Sequence, residues 1–256
     1  MLGLGDFAAM RGRLGFWLLV ACILLPWTNV VNADCVDPMQ LAQSTVSIAR
    51  YFDEGEPTPR ADIAGIKGTA WFLSPTSIVT AEHVSAAMML TAQDWKTLQI
   101  ESGDGSRSIK ARIRHVAGAE PEKLAVIELQ DPVEHVRVVG IRREPLLPEE
   151  QVTTITYPAG RPHPVAGHFV RMGDAGKLTG MALLEFYEGE NRLIVDHGAS
   201  GAPVLDCQGR VAAVVSNVFT QSIQFPSREI RISTAWGMPN VVSVPLQALD
   251  DLSQAN

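Results

Sequence analysis

Short apolar runs cut at close intervals by turn residues fill this chain from residue 41 to residue 244, and that rhythm is what most limits the fold. TVSIARY (residues 45–51) leads into a polar loop, and residues 65–73 and 77–81 follow across a Ser-Pro-Thr-Ser turn. A short helical stretch is expected near residues 84–90. Strands are then expected at 98–101, at 108–116 after a Gly103-Asp104-Gly105 turn, and at 124–129 (LAVIEL). RREPLLPEE (142–150) reads as a connection to a second half, which repeats the theme at 151–157, 165–172, 176–187, 191–195 and 210–218. A polar excursion over 220–231, a last extended stretch over 232–244 and a weakly helical tail complete the chain. So many short strands with such turns predict an all-β barrel or sandwich and argue against an α/β layer fold.

Composition agrees with a folded domain, at 46% hydrophobic and 19% charged residues. A formal charge of −7 with no Lys/Arg cluster gives no footing for a nucleic-acid partner. Residues 1–33 read as a signal peptide: Arg11 and Arg13 precede the apolar run LGFWLLVACILLP, and Val31-Asn32-Ala33 offers small residues for cleavage before Asp34. The uninterrupted apolar run falls short of the roughly 20 residues needed to span a bilayer, so export, periplasmic or secreted, is expected over an anchor, with no membrane association after cleavage. Residues 34–141, 142–150 and 151–256 are then the expected first half, linker and second half.

Export changes the meaning of the cysteines. Cys22 leaves with the signal, and Cys35 and Cys207 remain as an even pair in an oxidising compartment. A disulfide between them would close a loop of about 170 residues; two unrelated buried thiols are the alternative. Two cysteines without close His or Cys neighbours make no zinc site, so no metal is expected, and no organic cofactor is implied.

Within residues 196–215 (DHGASGAPVLDCQGRVAAVV), Ser200 sits among Gly198, Ala199, Gly201 and Ala202, closed by Pro203 and followed by a strand, a turn and a second strand. Small residues around a serine let a carbonyl approach the backbone, and the N–H groups of Gly198 and Ser200 would form an oxyanion hole if Gly198 takes φ > 0. A serine needs a base, however, and by itself this segment also reads as a compact turn. The base is offered upstream, where GTAWFLSPTSIVTAEHV ends its second strand in Thr80-Ala81-Glu82-His83.

T-A-x-H at the end of a hairpin together with G-x-S-G-x-P resembles the trypsin/chymotrypsin-like serine peptidases, above all their compact bacterial members. The resemblance spans about residues 40–247. It implies two six-stranded antiparallel β-barrels, with the active site in the cleft between them, a polypeptide substrate, His83 as general base and Ser200 as nucleophile. The other histidines (115, 135, 163, 168 and 197) are expected on the surface or in loops.

Two positions depart from the family. Where the family places an aspartate before the strand that reads LAVIEL, this chain has Lys123, which cannot accept a hydrogen bond. Glu122 is the nearest carboxylate, although a one-residue slip in an extended segment turns a side chain to the other face. Glu122, Asp104 and the absence of any orienting acid all stay open. Ala199 stands where activated trypsin-like enzymes carry an aspartate that pairs with a new N-terminus, so no activation of that kind is expected. The family places its primary specificity pocket along Ile194, Val195 and His197 and along Ser216, Asn217 and Val218, and these residues favour an apolar or small side chain. An exported serine endopeptidase, a two-barrel binding module that has lost its acid, and an esterase on the same scaffold are the resulting readings, in that order.

Overall fold

The computed structural model describes residues 35–60, 63–103, 105–118, 122–157, 160–225, 228–245, 248 and 252. The expected signal peptide, its cleavage site, Asp104 and most of the C-terminal tail lie outside the described residues. A one-turn helix α1 (Pro38–Leu41), capped by the Asp37 carboxylate on the N–H of Met39, runs into a 3-10 turn (Ala42–Ser44).

Six strands follow: β1 (Thr45–Tyr51), β2 (Gly65–Ser74), β3 (Ser77–Ala81), β4 (Lys96–Ser102), β5 (Gly105–Ala117) and β6 (Leu124–Leu129). They close antiparallel in the order β1-β2-β3-β6-β5-β4, with β4 returning to β1. Helix α2 (Glu82–Ala87) starts directly at the end of β3. A second closed barrel, in the order β10-β11-β14-β9-β8-β7, uses β7 (Gln151–Thr156), β8 (His163–Ala175), β9 (Leu178–Phe186), β10 (Pro203–Leu205), β11 (Val211–Val218) and β14 (Val241–Val244). Closure removes the open edges that would otherwise template aggregation.

The alternation of side chains explains how the two barrels share one body. Val46, Ile48, Ala70, Phe72, Ile78, Leu98, Ile100 and Ile127 fill the first barrel. Val152, Val165, Leu184, Val204, Val215 and Val241 belong to the core of the second. Residues of opposite parity, Trp71, Val79 and Val126 from the first barrel and Ile155, Leu183, Val214 and Val242 from the second, form a common apolar layer. β3 is therefore buried on both faces, which is why SIVTA carries no charged residue and its Ser77 and Thr80 are buried with the rest. Cys35 and Cys207 are disulfide-bonded, and the N–H of Val36 donates to the carbonyl of Cys207.

The structure departs from the sequence expectation in several places, among them the last extended stretch, which is broken at residues 234–240 between two strands. The helix begins at Glu82, two residues before its expected start. Residues 191–195 form no strand: Asn191 makes a single bridge to Glu188, and the segment runs on as irregular, bent chain. The polar excursion is itself a two-stranded sheet, β12 (Thr220–Phe225) paired with β13 (Arg228–Ser233). The connection at 142–150 is pinned rather than loose, because Arg142, 7% exposed, donates to the carbonyls of Glu144 and Pro145 and pairs with Glu150.

Candidate active site

His83 occupies the first turn of α2, placed there by the end of β3 and by a hydrogen bond from the N–H of Glu82 to the carbonyl of Lys123. That bond registers the segment before β6 against the start of the helix. The Nδ1–H of His83 donates to Glu122 Oε1 at 2.9 Å. Glu122 precedes β6, whose first residue is Leu124, so the face alternation that weighed against it does not apply. Gly118, at φ +96°, lies close by: a Cβ built on it would stand 3.7 Å from Glu122 O and from the Lys123 Cα. The Glu122 side chain is 11% exposed against 45% for His83, so the carboxylate is the more sheltered partner, and its bond to Nδ1 leaves Nε2 uncommitted to Glu122. A carboxylate on Nδ1 fixes the tautomer in which Nε2 is the base, and it stabilises the imidazolium formed on proton transfer.

The serine is held almost entirely through backbone. Ser200 O accepts from the N–H of Thr69 on β2, the Thr69 hydroxyl donates to Gly198 O at 2.6 Å, and Gly201 N–H donates to Val215 O at 2.7 Å. The Thr80 hydroxyl donates to Thr69 O, and a Cβ on Gly201, at φ +91°, would stand 2.1 Å from both those oxygens. The T of TAEH and the G after the serine are thus packed against each other, which only glycine permits. Gly68 separates Val84 from Ser200 O, so the residue after His83 and the Ser200 backbone flank one glycine.

Gly198 lies at φ +92°, and no described residue accepts a hydrogen bond from the N–H of Gly198 or of Ser200. The Ser200 hydroxyl itself donates to Ser216 O at 2.9 Å. That carbonyl is available because β11 bulges: Val215 pairs with Ser243 and Asn217 with Val242, skipping Ser216.

Of the residues expected to wall a specificity pocket, Ile194 and His197 line a cavity of about 360 Å³ together with Gly198 and Ala199. Val195 is buried in the core of the second barrel, Val218 packs against that core, Ser216 is buried and Asn217 is exposed. Tyr157 lines the same cavity and donates to Thr45 O; burial pushes its phenol well above the ordinary value and keeps it a neutral donor.

Sequence reasoning missed a polar tie beneath this region. Arg192, 7% exposed, donates to Thr234 O and Met238 O, pairs with buried Glu185 and lies under the Trp236 ring, and burial pulls its guanidinium below the ordinary value. Asn240 completes it with bonds to Phe186 and Arg192. His168 belongs to the same cluster through Glu185 and is no plain surface residue. Among the described residues no group of three or more His, Cys, Asp or Glu side chains could hold a metal ion, and no helix is long and apolar enough to cross a membrane.

A family model for the trypsin-like peptidase domain matches residues 68–214, more than half of the chain. The chain belongs to that family. Among solved structures, this trypsin-like peptidase is similar to Deg5, with a TM-score of 0.54, 15% identity, and coverage of 83% of this chain and 88% of that one. It is also similar to the inactive serine-to-alanine form of Rv3671c from M. tuberculosis H37Rv, with a TM-score of 0.52, 16% identity, and coverage of 85% and 88% respectively. At such identities the likeness is one of fold. A search of curated protein sequences finds no match.

Proposed function

We propose that this trypsin-like peptidase is an exported serine endopeptidase in which Ser200 attacks the scissile carbonyl, His83 is general base and then general acid, and Glu122 orients His83. The observation that carries the proposal is the 2.9 Å contact of Glu122 with His83 Nδ1, which supplies the acceptor that Lys123 cannot. In this mechanism a rotation about χ1 swings the Ser200 hydroxyl from Ser216 O to His83 Nε2, and the unused N–H groups of Gly198 and Ser200 receive the oxyanion. Proton transfer from serine to imidazole and on to the leaving amine completes acylation, and water repeats the cycle.

Asp196 offers no free carboxylate for a basic side chain because Arg231 engages both its oxygens, so an apolar or small residue before the scissile bond is the proposed preference. The competing reading, a binding module without turnover, is favoured by one observation, the Ser200 hydroxyl bonded to Ser216 O rather than to His83. A fluorophosphonate probe separates the two. Modification of Ser200 that disappears in His83→Ala supports the peptidase, and an inert wild type supports the module. N-terminal sequencing of the protein recovered from outside the cytoplasm tests export, with Asp34 as the expected first residue.

A further inference from the structure

The turn that carries Gly198 to Ser200 has one polar anchor at its entrance. Asp196 O accepts from Ala199 N–H at 2.9 Å, and Asp196 Oδ1 accepts from the N–H of His197, so this residue holds its own turn through both backbone and side chain. The carboxylate is gripped from outside by Arg231 on β13: its two terminal nitrogens donate to the two Asp196 oxygens, a fork-on-fork arrangement. Both side chains are largely shielded, at 20% and 33% exposure, so water weakens the pair less than it would a surface contact.

Thr69 ties the turn on its barrel side, through its N–H to Ser200 O and its hydroxyl to Gly198 O, but the entrance borders open space. A Cβ on Gly198 would meet nothing within 4 Å, and the cavity of about 360 Å³ lies against Asp196, His197, Gly198 and Ala199. Ala199 brings no charge of its own. A turn that borders empty space at its entrance and must still aim two N–H groups at one point needs a tether there as well as at Thr69.

We infer that Arg231 is a positioning residue for the oxyanion turn, acting through Asp196, and that the β12/β13 hairpin thereby sets how well the site stabilises the tetrahedral adduct. This inference rests on the proposed Ser200 chemistry. It assigns the polar excursion between β11 and β14 a role in the reaction rather than in substrate recognition. It also gives a reason for arginine there: lysine is a point charge and cannot span both carboxylate oxygens.

The test is the kinetics of Ser200 phosphonylation by a fluorophosphonate probe, whose adduct places an oxygen in the oxyanion site. Saturation kinetics separate probe binding (KI) from the bond-forming step (kinact). Arg231→Ala is expected to lower kinact by about ten- to a hundredfold, the scale of a misplaced or lost oxyanion donor, with KI within about twofold of wild type. Asp196→Asn should match it, the double variant should be no worse than either single one, and Arg231→Lys should recover part of the loss.

Thermal unfolding identifies any variant that fails to fold, and Arg231→Lys with Asp196→Asn then carries the comparison. A labelled wild type with unchanged kinact in the folded variants overturns the inference alone, as does a loss confined to KI, which would make Arg231 a binding contact. A wild type that takes no label overturns the proposed peptidase and this inference with it.

Discussion

The two halves of the site are held in different ways. On the serine side the anchors are mostly main-chain groups: Ser200 O, Gly198 O and Gly201 N–H each have a partner on a barrel strand at 2.6–2.9 Å, and the Ser200 hydroxyl donates to Ser216 O of β11. On the histidine side the imidazole is 45% exposed, and among the described residues it bonds one side chain, Glu122. Backbone anchoring demands small residues at fixed places, so it writes itself into the sequence as G-x-S-G-x-P. Side-chain anchoring demands only that a carboxylate arrive, from whichever neighbouring position the loop allows. In the proposed mechanism the acid therefore sits one residue from the family's place, at Glu122, while the serine motif stays intact.

If the halves form one machine, removing either should cost the same as removing both. Ser200→Ala and His83→Ala are each expected to lower kcat by about 10⁶, with no further loss in the double variant. Measured peptide hydrolysis in which the two losses multiply would mean that the halves act independently.

Glu122 tests the side-chain anchor alone. Glu122→Gln keeps a similar shape but presents an amide to Nδ1, and a fall of about 10⁴ in kcat is expected with unfolding temperature little changed. Adding Lys123→Asp should not restore turnover, because the backbone bond from Glu82 to Lys123 fixes the register that delivers position 122 to the imidazole. Full activity in Glu122→Gln would remove Glu122 from the mechanism.

Stability rather than rate tests how the serine-side scaffold is tied at its rear. The Cys35 to Cys207 bridge spans 172 residues and ends two residues after β10, the strand that follows the Ser200 turn. Replacing both cysteines by serine should cost on the order of 4–5 kcal/mol in denaturant unfolding. The turnover of molecules that remain folded should be unchanged, since the bridge touches neither His83 nor the oxyanion turn. A selective loss of turnover would show that the bridge also positions the site.

What could be read from sequence divides along the same line. The all-β class was legible because short runs and turn residues are local signals, while the two barrels and the paired serine and histidine followed from the resemblance carried by TAEH and GASGAP. Glu122 was legible only as one of several candidates, since its reach depends on a strand that begins two residues later than Glu122. The hairpin of β12 and β13 was missed although SIQF and REIRIS alternate on either side of Pro226-Ser227, because a polar composition reads as a loop. Nor does any spacing announce that Arg231 meets Asp196, or that Arg192 ties residues 234–240 down: both contacts join segments at least 35 positions apart.

The smallest expected effect isolates one tether of the serine side. Thr69 meets the turn twice, through its N–H to Ser200 O and through its hydroxyl to Gly198 O. Thr69→Val keeps the first bond, the β-branched shape and the carbonyl that accepts from Thr80, and deletes only the second. A part-buried carbonyl left without its donor costs about 1–3 kcal/mol. Because Gly198 O and the Gly198 N–H flank the same Cα, some of that cost should appear as a kcat lowered by about tenfold and the rest as a lower unfolding midpoint. If instead the midpoint falls and kcat does not, the hydroxyl serves the packing of β2 against the turn, and the aim of the Gly198 N–H is set from the Asp196 end alone.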